Sequence, residues 1–488
     1  MIRRLVKRAM VLLAVSVLTL LAVRIYDSQS GPALEPWHTY RPHELKADQL
    51  ADLDWASYLK AESTLFDEVR SQVTQKLGPD ERIPVNRYFE GSPVYPASFS
   101  HDWNRSFVLE PAGVPLGAVV LLHGLTDSPY SGRHIARRYQ ELGYVAVAIR
   151  LPGHGTVPGS LTDVDWEDWC AATSLAVREA RRLAPSTPLH LVGYSTGGAL
   201  AVKYALDALG DEKLARPDRI VLISPMIGIT AFARFAGLLG LPAVLPAFAK
   251  AAWLSVVPEF NPFKYNSFPV NAARQSGLLA RELQEELARA AGAGRLGELP
   301  PILTFQSVVD FTVSTRAIVS ALYAQLPANG SELVLFDLNR NAKLDLLLRP
   351  SADTVLDGLL PEPPRSFRTA IITNAGPDTS EVEARVTEAG TVTEQSRALG
   401  LSYPRDVFSL SHVAVPFPTS DGLYGMEPDP SEHFGVTLGA MAARGERATL
   451  IVSLDFLSRT ASNPFFPYML ERIESGIAPV RGGVRDLR

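Results

Sequence analysis

A short apolar strand in this sequence runs without a spacer into a serine bracketed by glycines, and then into a helix. Residues 189–192 are Leu-His-Leu-Val, Gly193-Tyr194-Ser195-Thr196-Gly197-Gly198 follows, and Ala199, Leu200, Val202, Ala205 and Leu206 then fall on one side of a helical repeat. The glycines leave room for the backbone to fold tightly, and such a turn lifts the serine oxygen above the end of the strand. Gly-x-Ser-x-Gly alone recurs by chance; the strand before it and the helix after it give it meaning. A serine hydroxyl is a weak nucleophile at neutral pH, so the chain must also supply a base, an acid to orient that base, and donors for a developing oxyanion.

The surrounding pattern fits the same frame. From about residue 105, short apolar runs at 106–109, 118–122, 145–149, 189–192, 220–223 and 302–305 alternate with amphipathic stretches at 135–143 and 166–183. That alternation predicts a parallel sheet with helices on both faces. It is interrupted twice, by mainly helical sequence between Ile223 and Pro301 and by about 100 residues between Asp310 and His412. Connections of that length inside a compact domain are usually functional insertions. The expected divisions are 27–104 as tether and helical extension, 105–225 as the first part of the core and 226–300 as a helical cap. They continue with 301–338 as core carrying the acid, 339–405 as a second insertion and 406–488 as the C-terminal core with the base. Within the extension, Leu50, Leu53, Trp55 and Leu59 predict a helix over 48–76. Within the cap, Phe232, Phe235, Leu238 and Leu239 share one helical face, and Leu278, Leu279, Leu283 and Leu287 share another over 273–291.

The first 26 residues differ in kind. Arg3, Arg4, Lys7 and Arg8 precede an uncharged run over 9–23 that Arg24 closes, the layout of a signal peptide or an uncleaved signal anchor. Fifteen helical residues span about 22 Å against a hydrocarbon core of about 30 Å, so snorkelling of Lys7, Arg8 and Arg24 has to complete the span. No small-x-small cleavage site follows, which favours an anchor holding the body outside the cytoplasm; secretion after cleavage is the alternative. The net charge of -5 offers no basic stripe for nucleic acid. The single cysteine, Cys170, excludes an internal disulfide and a cysteine-rich zinc cluster, and reads as a small buried hydrophobe.

Three motifs now stand in order: His123-Gly124-Leu125-Thr126-Asp127-Ser128-Pro129, Arg150-Leu151-Pro152-Gly153-His154-Gly155-Thr156, and the Ser195 elbow. Together they resemble the α/β-hydrolase family, in particular its monoacylglycerol-lipase and carboxylesterase-like branch, most strongly over 115–225 and again near Asp310. The resemblance implies an α/β-hydrolase fold: a mostly parallel central sheet with helices on both faces and a helical cap, here behind an N-terminal membrane anchor. It implies Ser195 as nucleophile and the backbone N–H groups of Leu125 and Thr196 as oxyanion donors. His123 precedes the serine, whereas the family order is Ser, acid, His, so it is expected to shape its loop. Asp310, just past the strand 301–306, matches the position of the acid. Asp337 is the alternative, and capping of a helix over 312–322 is a competing role for Asp310. Only His412 and His433 follow Asp310. His412 closes a short apolar strand as the family's base does, while His433 lies in a polar stretch.

The implied activity is cleavage of a small acyl ester through an acyl-enzyme, with no cofactor or metal. A thioesterase, amidase or peptidase would use the same residues, and a membrane-tethered binding protein without turnover is the rival of another class. Acyl length and oligomeric state leave no mark in the sequence.

Overall fold

In the computed structural model, residues 2–228, 246–310, 312–339, 358–405, 407, 409–439 and 459–477 are described. The expected cap face of Phe232, Phe235, Leu238 and Leu239 lies outside the described residues, as do Phe408 and 340–357.

Fourteen described strands are β1 (Phe107–Leu109), β2 (Gly117–Leu122), β3 (Tyr144–Ile149), β4 (Leu189–Tyr194), β5 (Arg219–Ile223), β6 (Trp253–Ser255), β7 (Phe268–Pro269), β8 (Ile302–Ser307), β9 (Glu332–Asp337), β10 (Arg368–Asn374), β11 (Glu381–Thr387), β12 (Glu394–Ser402), β13 (Ser409–Leu410) and β14 (Arg459–Thr460). Ten of them form one sheet in the order β1-β3-β2-β4-β5-β8-β9-β10-β11-β12. Pairing from β3 across to β10 is parallel, and β1, β11 and β12 join antiparallel. The mostly parallel sheet expected from the strand-helix alternation is therefore present.

The central strands are continuous apolar runs because both faces of the sheet are covered. Alternate side chains feed two separate cores. Val120, Leu122, Val145, Val147, Leu189 and Leu191 pack on one side. There they meet α6 (Trp166–Leu183), α7 (Thr196–Gly210) and α8 (Val270–Gly292). Val119, Leu121, Ala146, Ala148, Val192 and Tyr194 pack on the other. That side is closed by α5 (Arg133–Glu141), through Ile135, Ala136 and Tyr139, and by α9 (Phe466–Glu474), through Phe466, Met469 and Ile473. In α8, Leu279, Leu283 and Leu287 are buried in the first core. Cys170 on α6 packs against the same core, and burial pushes its thiol up to about 12.

The N-terminal extension is built into the body. Helix α1 (Ile2–Ser30) carries the apolar span Arg3–Val23, whose mean hydropathy is 2.1 and which is long and apolar enough to cross a membrane. The span takes in Arg3 to Arg8 ahead of the uncharged run, so at 21 residues it exceeds the 15 counted between charges and reaches about 30 Å. After it come α2 (Pro36–Thr39), α3 (Ala47–Asp52) and α4 (Trp55–Gln72). The stretch expected to be a tether buries Trp37 and His38, whose Nε2 lies 3.0 Å from Ser267 Oγ in the cap region. Arg150 is clamped by Glu44 at 2.9 and 3.0 Å and by Glu62 at 3.2 Å. The single helix expected over 48–76 is split: Asp54 caps α4 by accepting from Ser57 N–H at 2.8 Å. The restart rotates the inner face onto Trp55, Tyr58, Glu62, Leu65 and Val69, and leaves Leu59 exposed.

Residues 368–402, within the expected second insertion, extend the sheet: β10 pairs parallel with β9, and β11 and β12 follow as an antiparallel meander. The final strand β12 is an exposed edge.

Candidate active site

Ser195 sits at the junction of β4 and α7 with φ 51° and ψ -115°, a conformation rare for a residue with a Cβ. Surrounding contacts hold it there. Its N–H donates to Ile223 O at 2.9 Å, and its carbonyl accepts from Gly198 N at 2.9 Å and Met226 N at 3.0 Å. The glycines are required by close approach: a Cβ at Gly197 would stand 2.1 Å from Leu122 O, and one at Gly193 2.3 Å from Gly197 O. Strain of this kind persists only where its neighbours over-determine it.

His412 Nε2 lies 3.1 Å from Ser195 Oγ, and its Nδ1 lies 2.7 Å from Asp310 Oδ2. With the carboxylate accepting from Nδ1–H, Nε2 is left free to accept from the serine hydroxyl. Asp310 Oδ1 accepts the N–H groups of Thr312 at 2.8 Å and Val313 at 3.1 Å, so the carboxylate is fixed by three donors. The expected helix over 312–322 is a short helical turn at Thr315–Ala317 followed by a π-helical turn at Ile318–Leu322. Its cap is Ser314, which accepts from Ala317 N–H, and Asp310 stands outside it. Asp337 ends β9, and His433 is exposed.

His412 is not delivered by a strand of the main sheet. It follows the two-residue β13, which pairs parallel with β14, and Ser411 Oγ donates to Thr460 O at 3.0 Å. The Tyr194 hydroxyl donates to His412 O at 3.4 Å, with the two rings 5.4 Å apart. The final placement of His412 thus depends on a contact nearly 50 residues further along the chain.

The loop after β2 forms the opposite wall. His123 is buried; its Nε2 accepts Leu151 N–H at 3.0 Å and its Nδ1–H donates to Gly124 O at 2.9 Å. Burial holds this imidazole well below its usual range, so it is neutral and ties the loop to the Arg150-Leu151-Pro152-Gly153 turn. A Cβ at Gly124 would lie 3.2 Å from Ser195 Cβ, which shows how tightly this loop crosses the serine. Among the described residues, no acceptor takes the backbone N–H of Leu125 or of Thr196, the first residue of α7. A helix N-terminus favours negative charge.

A cavity of about 470 Å³ opens over Ser195 and His412. Leu125, Thr196, Met226, Leu254, Phe268 and Val313 line it, together with Ala273 and Ser276 of α8. It also contains Lys264, a residue the sequence did not single out. The one signal for Lys264 was a lone charge inside the otherwise apolar and aromatic run Pro262-Phe263-Lys264-Tyr265. Beneath the loop, burial pushes the Asp127 carboxyl up to about 6, with the Lys264 ammonium acting in the opposite direction. Among the described residues, no group of three or more His, Cys, Asp or Glu side chains could hold a metal ion.

The profile of a family described as serine aminopeptidase, S33, matches residues 113–337. Over 91 residues the chain is 32% identical to the thermostable monoacylglycerol lipase of Bacillus sp. (strain H-257), a stretch covering 19% of this chain and 35% of that enzyme. The match thus spans about a third of the length of this curated relative. Among solved structures, the monoacylglycerol lipase of Paleococcus ferrophilus is 17% identical with a TM-score of 0.36, covering 47% of this chain and 87% of that one. Est1E from Butyrivibrio proteoclasticus, with ferulic acid bound, is 19% identical with a TM-score of 0.35, covering 47% and 84%.

Proposed function

We propose that this chain, whose residues 113–337 match the serine aminopeptidase, S33, family, is an α/β-hydrolase that cleaves carboxylic esters with a serine nucleophile. The observation that carries this reading is the hydrogen-bonded series Asp310, His412, Ser195, at 2.7 and 3.1 Å, under a largely apolar cavity. Ser195 Oγ attacks the ester carbonyl carbon while His412 Nε2 takes the hydroxyl proton, and Asp310 stabilises the imidazolium. The carbonyl oxygen, now an anion, accepts from Leu125 and Thr196 N–H. His412 returns the proton to the departing alcohol as the ester C–O bond breaks. Water then attacks the acyl-enzyme, gives its proton to His412, and releases the acid and Ser195.

The cavity favours an ester over the peptide substrate of an aminopeptidase. An aminopeptidase must hold a free ammonium group, and no carboxylate lines the described cavity wall, where Lys264 contributes a basic side chain instead. Helix α1 is the membrane anchor in this reading, with Arg3, Arg4, Lys7 and Arg8 on the cytoplasmic side and the body on the other.

A fluorophosphonate probe tests the chemistry. Labelling of Ser195, lost in Ser195→Ala together with turnover of a 4-nitrophenyl ester, is the expected result. Near wild-type turnover in Ser195→Ala would overturn the assignment. Retention in the membrane pellet through alkaline carbonate, lost on deletion of residues 1–30, is the expected outcome for the anchor.

A further inference from the structure

We propose that the cavity over Ser195 takes esters that also carry an anionic oxygen group, a carboxylate or a phosphate, and that Lys264 is the residue that recognises it. This rests on the ester-hydrolase reading and narrows its substrate class.

The backbone around Lys264 is fixed from both sides. Phe263 is buried with its ring stacked 4.2 Å from that of Tyr130. Tyr265 N–H donates to Thr126 O at 2.7 Å, and the Tyr265 hydroxyl donates to Gly153 O at 3.1 Å. The Lys264 carbonyl accepts from Arg87 Nη1 at 3.4 Å. With its neighbours turned into the body, the Lys264 side chain lines the cavity beside the loop that carries Leu125.

Its ammonium is without a partner there. Among the described residues no hydrogen bond or ion pair is made by Lys264 Nζ; burial pulls its ammonium below the usual lysine range, with the Asp127 carboxylate acting in the opposite direction. A cation held in an apolar wall is costly unless something completes it. A neutral ester offers it little, because its scissile carbonyl oxygen is the group that accepts from Leu125 and Thr196 N–H. A second, anionic group on the substrate meets the three donors of the ammonium with opposite charge. Meanwhile Met226, Leu254, Phe268 and Val313 cover a hydrocarbon body.

The experiment compares pairs of esters that differ only in this charge, on the full chain in detergent. One arm sets mono-4-nitrophenyl adipate against its methyl-capped analogue; the other sets 1-acylglycerol 3-phosphate against 1-acylglycerol with the same acyl chain. The wild-type protein should favour the anionic member of at least one pair by about ten-fold or more in kcat/KM, and the arm showing it tells carboxylate from phosphate. In Lys264→Met that ratio should fall to near one, and in Lys264→Arg it should persist. A purely structural role would lower both members of a pair together and leave the ratio unchanged, which would overturn the proposal. Equal wild-type turnover of both members in both arms would also overturn it, even if Lys264→Met does not fold. In that case Ser195-dependent turnover of the neutral esters would leave the ester-hydrolase reading standing. No Ser195-dependent turnover of any ester would remove both.

Discussion

Asp310 and His412 are 102 residues apart in the chain, yet their carboxylate and imidazole meet at 2.7 Å. The interval is taken up partly by β9 to β12, which extend the sheet away from the site, so the chain leaves the acid, widens the sheet and returns with the base.

Removing the charge at Asp310 while keeping its shape tests that pairing. In Asp310→Asn the amide can donate to His412 Nδ1 and favour the wrong tautomer, so kcat for a 4-nitrophenyl ester should fall on the order of 10³–10⁴-fold with KM little changed. Asp337→Asn should stay within about three-fold of wild type, since the Nδ1 of His412 is already taken by Asp310 at 2.7 Å. A reversed ranking would reassign the acid.

The central strands were legible because burial on both faces makes them uninterrupted apolar runs, and 166–183 was legible as a helix because α6 is amphipathic and closed by acidic residues at its start. Strands β10 to β12 were not. Arg368–Asn374 and Glu381–Thr387 bury only alternate side chains such as Ala370, Ile372, Val382 and Ala384, and charged or polar residues are interleaved with them, so neither run has the continuous apolar character of the central strands. Tyr58 and Glu62 were missed for a different reason: Asp54 restarts the helix and shifts the buried face, an event governed by one cap. In the site, Ser195 announces itself because the elbow is local. Lys264 does not, since its meaning depends on the cavity that distant segments enclose.

Gly197→Ala should be among the more damaging single-methyl additions. The new Cβ would meet backbone, Leu122 O at 2.1 Å, which cannot move aside without disturbing β2. A loss of about 3 kcal/mol or more in urea denaturation is expected. Gly210→Ala at the end of α7 meets nothing within 4 Å and should change stability by no more than about 0.5 kcal/mol. Similar values for the two variants would mean that the elbow is looser than described.

Arg150 joins the N-terminal extension to the core through Glu44 and Glu62, all three side chains being almost wholly buried. Arg150→Met would leave two buried carboxylates without their cation, at a cost of about 3–5 kcal/mol. Replacing both acids as well, in Glu44→Gln/Glu62→Gln/Arg150→Met, should recover a large part of that loss. Limited proteolysis should cut within residues 31–46 faster in Arg150→Met than in wild type. Additive losses with no recovery in the triple variant would show that the three groups do not act as a unit.

Burial holds the imidazoles of His38 at about 4 and of His154 and His190 at about 3, below their ordinary 6.5. As pH falls below 6.5 the unfolded chain takes up protons that the folded protein refuses. The unfolded state then binds more protons, and stability decreases on acidification. Asp127 works in the opposite sense: its folded carboxyl, raised to about 6, keeps a proton that the unfolded chain releases, and this supports the fold below pH 6. The buried imidazole of His123 acts in the same direction as these three, so the histidines outweigh Asp127 and stability falls as the pH drops from about 6.5 towards 4. Urea denaturation at pH 4.5, 5.5 and 7 should show this fall. In His190→Gln, which removes one titrating imidazole, the slope should flatten by about 1.4 kcal/mol per pH unit. A stability independent of pH over that range would mean that these histidines are hydrated and free to protonate in the folded protein.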